Sequence, residues 1–171
     1  IFDRKTRENY VEAEKVVDLV FENIEKHPER SLGVVAFSNS QQDLIDKLIT
    51  KRRQQDPSKE PIFSPDKSEP FFVKNLETVQ GDERDTIIFS IAYAQDSQGR
   101  LIYNFGPLNR DGGERRLNVA VTRAKYNIQL VSSLHCTDID LSRTQSAGAR
   151  LLREYLDYAE NGEIALERSI S

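Results

Sequence analysis

The segment SLGVVAFSNSQQDLIDKL, residues 31–48, is the most informative part of the sequence about the fold. Its first part, Ser31 to Ser38, is a short continuous apolar run, as expected of a strand that is buried on both faces. The next segment, Asn39 to Asp56, predicts an amphipathic helix in which Asn39 or Ser40 is the N-cap. The core stripe of this helix is Leu44, Ile45, Leu48 and Ile49. A buried strand that leads directly into a helix indicates a parallel α/β architecture.

The segments on either side extend this alternation of strands and helices. A helix is predicted over Glu8 to Lys26, where His27-Pro28 ends it because proline disfavours a helical residue before it. Four prolines in Asp56 to Pro70 indicate an irregular loop. The later elements are strands Phe71 to Leu76 and Asp85 to Ala94, a possible hairpin arm Arg100 to Phe105, a helix Glu114 to Lys125, a buried strand Tyr126 to Ser133, and a helix Ser146 to Asn161 that ends at Gly162. This order predicts one α/β domain over residues 1–171, with a mostly parallel sheet covered on both faces.

Composition and charge exclude several classes of protein. The 171 residues are 37% apolar and 30% charged, which suits a packed domain, and the net charge of −4 argues against a protein that coats duplex nucleic acid. The single Cys136 excludes an internal disulfide and a cysteine metal cluster. No apolar run is long enough to span a bilayer, and no leader is evident, so we expect a reducing, cytoplasmic location and no membrane partner. Because the chain begins at Ile1 without Met, we expect it to be part of a longer protein.

The chain lacks the motifs of a complete nucleoside triphosphatase. It contains no G-x-x-x-x-G-K-[ST] loop, and Gly112-Gly113 is followed by Glu114 and Arg115. Neither of the strands VVAFS and IQLVSS ends in an Asp-Glu pair that could hold magnesium. We therefore expect no metal site and no Walker motif in this chain.

Arginine is instead concentrated in the segment GGERRLNVAVTRAK, residues 112–125. Arg116 and Arg123 are seven residues apart, or about two helical turns, so a helix would point both to one side while Leu117, Val121 and Ala124 face the sheet. A guanidinium group held in this way offers a rigid fork to phosphate oxygens. It could act as an arginine finger toward a phosphate held by another domain.

Three motifs carry a family resemblance. LGVVAFSNSQQDLI resembles motif IV, VKNLETVQGDERDTIIFS motif V and RRLNVAVTRAK motif VI of superfamily 1 helicases, in the order found in their second RecA-like core domain. The chain is most similar to the Upf-type branch, and to large multidomain bacterial helicase-like proteins that share NFGPLN and DIDLS. The resemblance covers Asn9 to Glu160 and implies a RecA-like, P-loop NTPase superfamily three-layer sandwich without its own Walker motifs.

The resemblance also implies roles for individual residues. Arg123 matches the catalytic arginine finger, and Glu83 in QGDE matches a catalytic residue near the ribose or the attacking water. The ATP-binding set that the resemblance implies is Gln80, Gly81, Glu83, Arg116 and Arg123. The nucleic-acid-binding set is Ser38, Gln41, Thr78 and Asn118.

The implied protein is an ATP-dependent helicase or translocase on single-stranded DNA or RNA. Its ATP and Mg²⁺ would be held mainly by an upstream RecA-like domain of the same protein, so we expect the isolated chain to be inactive. The motifs do not distinguish DNA from RNA and do not indicate polarity, pathway or oligomeric state.

Other interpretations remain open at the sequence level. The domain could be a non-catalytic helicase-like scaffold or interaction module, which a degraded P-loop elsewhere in the protein would favour. An independent Rossmann enzyme is disfavoured because no G-x-G-x-x-G follows a strand. Individually, Arg123 could pair with a surface carboxylate, Glu83 could pair with Arg84, Gln80-Gly81 could be a plain turn, and Thr78 could be an ordinary strand-end hydroxyl.

Overall fold

The apolar run within Ser31 to Ser38 forms one of the two internal strands of a four-stranded sheet. The computed structural model describes residues 2–3, 8–96 and 98–162. Within Leu32–Ala36 every residue is buried, because Val34 faces one helical layer and Val35 the other. The main sheet has the order β4-β3-β5-β6, and all its pairings are parallel.

The elements follow the predicted order. The strands are β1 (Phe2–Asp3), β2 (Glu8–Asn9), β3 (Leu32–Ala36), β4 (Phe72–Asn75), β5 (Arg84–Ser90) and β6 (Ala124–Val131). The helices are α1 (Tyr10–Lys26), α2 (Asn39–Gln55), α3 (Gly113–Val121) and α4 (Ala147–Asn161). Strands β1 and β2 form a separate antiparallel pair.

Two apolar cores lie on opposite faces of the sheet. One joins α1 and α2 to the sheet through residues such as Val20, Ile45 and Ile88. The other joins α3 and α4 to the sheet through residues such as Leu117 and Leu152. The structure therefore confirms the α/β class and the parallel sheet covered on both faces.

The prediction for the helix of motif VI is wrong at its end. Helix α3 ends at Val121, and β6 already begins at Ala124, whereas the sequence suggested a helix to Lys125. The Arg84 N–H donates to the Arg123 carbonyl over 3.0 Å, so pairing with β5 competes successfully with helix propagation here. As a result, Arg116 and Arg123 do not lie two turns apart on one helix.

Three smaller predictions are also wrong. Strand β6 is an edge strand rather than a buried one, and its Tyr126 is 79% exposed. Residues 100–105 form no strand, so there is no hairpin arm at that place. The N-cap of α2 is Ser38, one residue before Asn39 and two before Ser40, the two predicted positions.

The loop after α2 is more regular than expected, because Pro57–Phe63 form a 3₁₀ helix. Among the helices of the described residues, none combines the length and the apolar character needed to cross a bilayer.

Candidate phosphate and nucleic-acid sites

The parallel sheet separates the predicted site residues into two groups. The carboxyl ends of β3, β4 and β5 lie side by side, since Ala36 is paired with Asn75 and with Ser90. We call this end of the sheet the carboxyl edge, and it holds Ser38 and Thr78. The opposite end, where β5 and β6 begin, is the amino edge, and it holds Glu83 and Arg123.

The loop between β4 and β5, residues 76–83, runs from the carboxyl edge to the amino edge. Leu76 and Val79 anchor it, because both side chains are buried in the α3–α4 core. Gln80 and Gly81 lie exposed at its turn. Gly81 has a φ of 89°, a left-handed conformation that glycine adopts without steric cost. Both residues are therefore reachable by a ligand.

Asn75 organises the carboxyl edge, although sequence reasoning did not select it. Its Oδ1 accepts hydrogen bonds from the N–H groups of Glu77 (2.9 Å) and Thr78 (3.2 Å). Its Nδ2 donates to Asn39 Oδ1 (2.8 Å) and Gln42 Oε1 (2.7 Å). This buried amide thus joins the start of motif V to the first turn of α2. The available signal was an asparagine at the end of a strand, directly before the motif V turn.

Thr78 is exposed, but its hydroxyl is already used within the chain. Oγ1 accepts from the Asn75 N–H over 3.1 Å and is 3.4 Å from the Asn75 carbonyl oxygen. Ser38 is half-buried and caps α2, since its Oγ accepts from the Gln41 N–H over 3.2 Å. Both hydroxyl groups face the edge where ligands of open α/β sheets bind.

The structure places Gln41, a predicted nucleic-acid contact, inside the protein. Its side chain is completely buried. Oε1 accepts from the Asn9 N–H (2.8 Å), and Nε2 donates to the Asn9 carbonyl (3.1 Å) and to Ser90 Oγ (3.1 Å). The amide is therefore satisfied inside the protein and connects α2 to the segment before α1.

Glu12 is a further buried polar residue at the carboxyl edge. Its Oε2 accepts from the Ala92 N–H (2.7 Å) and Ser90 Oγ (3.3 Å), and its Oε1 from the Ser133 N–H (2.7 Å) and Asn9 Nδ2 (3.2 Å). Burial raises the pKa of the Glu12 carboxyl above its ordinary value, although these hydrogen bonds oppose the rise. The residue fastens α1 to the ends of β5 and β6.

At the amino edge, the guanidinium of Arg123 is held by groups of its own chain. Nε donates to the Val119 carbonyl over 3.1 Å, and Nη2 donates to Thr122 Oγ1 over 3.2 Å. Nη1 is 3.6 Å from Glu83 Oε1, and the side chains of Arg123 and Glu83 are 21% and 52% exposed. The two predicted catalytic residues, from motifs V and VI, are therefore in contact at the surface.

Arg84 stabilises the backbone next to Glu83 instead of pairing with its carboxylate. Its Nε donates to the Pro70 carbonyl (2.8 Å) and its Nη1 to the Glu83 carbonyl (2.6 Å). The buried guanidinium lies 4.7 Å from the centre of the Phe72 ring. Glu83 is thereby left to face Arg123.

Arg116 and Asn118, the remaining two predicted residues, make no contact in the described part of the chain with the predicted residues at the carboxyl edge or the amino edge. Arg116 Nη1 donates to the carbonyls of Asp111 (3.0 Å) and Pro107 (3.3 Å), so its guanidinium stabilises the loop before α3. Asn118 is exposed on α3. In the described residues there is also no cluster of three or more His, Cys, Asp or Glu side chains of the kind that holds a metal ion.

Comparison with known proteins adds independent information about this chain. Residues 2–135 match a family described as AAA domain. The chain is 44% identical over 133 residues to an uncharacterized ATP-dependent helicase of Mycoplasma genitalium. It is 40% identical over 134 residues to a homolog of that helicase in Mycoplasma pneumoniae. Each alignment covers 77% of the chain, and the chain spans 12% of the length of these curated relatives.

Proposed function

This chain belongs to the AAA domain family as a helicase-like domain of Upf type, and we propose that it is the second RecA-like core domain of an ATP-dependent helicase or translocase. Membership confirms the RecA-like fold class and the resemblance that motifs IV, V and VI carry. The observation that carries the proposal is that the Arg123 guanidinium lies partly exposed at an edge of the sheet beside Glu83, while the Val119 carbonyl and Thr122 Oγ1 hold it.

Arg123 is the proposed arginine finger. Its side chain is ordered by its own chain yet is partly exposed. A cation held in this way can meet the charge that develops on a transferring phosphoryl group without further reorganisation. Glu83 and the exposed Gln80-Gly81 turn would line the same nucleotide. Arg116, whose guanidinium also stabilises the loop before α3, is proposed as a further contact with ATP.

ATP and Mg²⁺ are proposed to bind mainly to another RecA-like domain of the same, longer protein. The chain has no P-loop motif, and the curated relatives that it matches are much longer. Glu83 is a single carboxylate, which does not amount to a magnesium site by itself. On this proposal residues 1–171 form one domain, which is inactive when isolated and works in a reducing, cytoplasmic compartment.

The carboxyl edge is proposed to contact single-stranded DNA or RNA. Ser38 and Thr78 supply hydroxyl groups there, and the exposed Asn118 stays a candidate further away. Contacts of these groups with the phosphate backbone would be independent of base sequence and weakened by salt. Loop 76–83 would then link the nucleic-acid edge to the nucleotide edge.

Substitution of Arg123 by alanine in the full-length protein tests the proposal. We expect the kcat of nucleic-acid-stimulated ATP hydrolysis to fall by about 10³-fold, the scale for arginine fingers, with a smaller change in KM for ATP. The matched control is Arg115→Ala, which removes an exposed arginine of the same motif.

Near wild-type turnover of Arg123→Ala would contradict the proposed role of this residue. Absence of ATP hydrolysis in the wild-type protein, with nucleic acid present, would instead favour a helicase-like scaffold.

A further inference from the structure

The backbone of Arg123 is fixed on both sides by hydrogen bonds. Its N–H donates to the Ala120 carbonyl (3.1 Å), and its carbonyl accepts from the Arg84 N–H (3.0 Å). The preceding residue, Thr122, caps α3 through its N–H, which donates to the Asn118 carbonyl over 3.1 Å. Because the backbone is held, the direction of the guanidinium depends on contacts of the side chain alone.

Two acceptors at the end of α3 hold one side of that guanidinium. The Val119 carbonyl accepts from Nε (3.1 Å), and Thr122 Oγ1 accepts from Nη2 (3.2 Å). Glu83 is more distant, at 3.6 Å from Nη1, and its side chain is about half exposed. An exposed ion pair of this kind orients a side chain weakly. The end of α3 is therefore the more effective support.

The hydroxyl of Thr122 has a defined orientation, which makes it a directed acceptor. It donates its only proton to the Val119 carbonyl over 2.9 Å. Its lone pairs are then left for Arg123 Nη2, and a hydrogen bond to a charged donor is stronger than a neutral one. The guanidinium has five N–H groups, and some of them contact Val119, Thr122 or Glu83. In the described structure the others are available for an external phosphate.

We propose that Thr122 is a positioning residue for the reaction, which holds the Arg123 guanidinium in the orientation that receives the nucleotide. This inference rests on the proposed function, because it requires Arg123 to be the finger. Thr122 itself would not touch the substrate. Small misplacement of a group that stabilises a transition state lowers kcat steeply, so loss of this one acceptor should be visible in turnover.

Two substitutions separate the hydroxyl from the shape of the side chain. Thr122→Val keeps the β-branched form but removes the acceptor, whereas Thr122→Ser keeps the acceptor. In the full-length protein we expect Thr122→Val to lower the kcat of ATP hydrolysis about 10-fold with little change in KM. Thr122→Ser should restore most of the rate. Since Thr122 is exposed, both variants should unfold at the wild-type temperature.

A double-mutant cycle tests whether Thr122 acts through Arg123. In the Arg123→Ala background, Thr122→Val should cause no additional loss of kcat, because the group that it positions is absent. A general structural role would give an additional loss. In the 171-residue chain, ¹⁵N spectra at low temperature should show that the Arg123 Nη2 protons, which Thr122 Oγ1 accepts, exchange faster with solvent in Thr122→Val than in Thr122→Ser.

The results distinguish this inference from the function on which it rests. A wild-type kcat in Arg123→Ala would contradict the proposed function itself. If Arg123→Ala is slow, the role of Thr122 alone is overturned by any of three results: a wild-type kcat in Thr122→Val, an additional loss in the double variant, or equal exchange of the Arg123 Nη2 protons in both Thr122 variants.

Discussion

Replacement of Glu12 by alanine should destabilise the protein strongly, although Glu12 lies outside every motif. The carboxylate accepts two backbone and two side-chain hydrogen bonds at the carboxyl edge. The Ala92 N–H is buried and would lose its partner, whereas Ser133 is exposed, so water can replace the carboxylate there. Ala92 also has a φ of 66°, a left-handed conformation that alanine adopts only under constraint.

The size of the effect follows from these contacts. A buried donor that is left unpaired costs about 1–3 kcal/mol, and each further lost hydrogen bond contributes about 1 kcal/mol. Removal of a buried carboxylate relieves its desolvation, which offsets part of the loss. We therefore expect the free energy of unfolding to fall by about 3 kcal/mol, a value within the range for broken buried networks.

Urea unfolding of the 171-residue chain at pH 7, followed by circular dichroism, measures this change. The matched control is Glu14→Ala, an exposed position on the same helix, which should stay within about 0.5 kcal/mol of wild type. The midpoint of Glu12→Ala should fall while the slope m stays constant. Equal stabilities of the Glu12→Ala and Glu14→Ala variants would show that the Glu12 carboxylate does not stabilise the fold.

Two further predictions concern the same scaffold. Because the pKa of Glu12 is raised in the folded state, the carboxyl loses its proton at a lower pH in the unfolded chain, where its pKa has the ordinary value of 4.5. Wild type should therefore lose stability relative to Glu12→Gln as pH rises from 4.5 toward the folded pKa. A stability difference that stays constant with pH in urea titrations would contradict this. Gly148→Ala should lower the free energy of unfolding by about 2 kcal/mol despite the helix preference of alanine, since its Cβ would lie 2.1 Å from the Leu108 carbonyl oxygen. The control is Arg150→Ala, an exposed position that should keep the wild-type midpoint of urea unfolding. A wild-type midpoint for Gly148→Ala would disprove the clash.

Local periodicity was sufficient to predict the layers of the fold. The run around Val34 and Val35 marks a strand buried on both faces, and the spacing of apolar residues such as Val16 and Val20 marks a helix that covers it. The same local signal did not reveal that β6 is an edge strand. Apolar residues such as Ile128 occur in edge strands and in central strands alike. Within the described residues, β6 differs from a central strand in having a neighbouring strand on one side alone.

The end of α3 depends on a contact that is distant in sequence. Residues up to Lys125 are compatible with a helix, but Arg123 pairs with Arg84 in the neighbouring strand. That pairing places Arg123 outside the helix and beside Glu83. The motifs predicted both Arg123 and Glu83. The proposed role of Thr122, which is to orient the Arg123 guanidinium, could be inferred from the three-dimensional structure alone.

The burial of Gln41 could not be predicted for a similar reason. A polar residue one turn into a helix is usually exposed, and the motif suggested a ligand contact. Its partners Asn9 and Ser90 are 32 and 49 residues away, so the sequence around position 41 carries no sign of them. Exposed Thr78 and half-buried Ser38 remain the predicted nucleic-acid contacts at this edge.

We propose that Arg123 meets a phosphate that another domain holds. The most direct measurement is a structure of the full-length protein with ADP, Mg²⁺ and a fluoride mimic of the transferring phosphoryl group. If Arg123 is the arginine finger, one of its guanidinium nitrogens will lie about 3 Å from this mimic, within hydrogen-bonding distance. A guanidinium that faces away from a fully bound nucleotide in the closed protein would contradict the proposal.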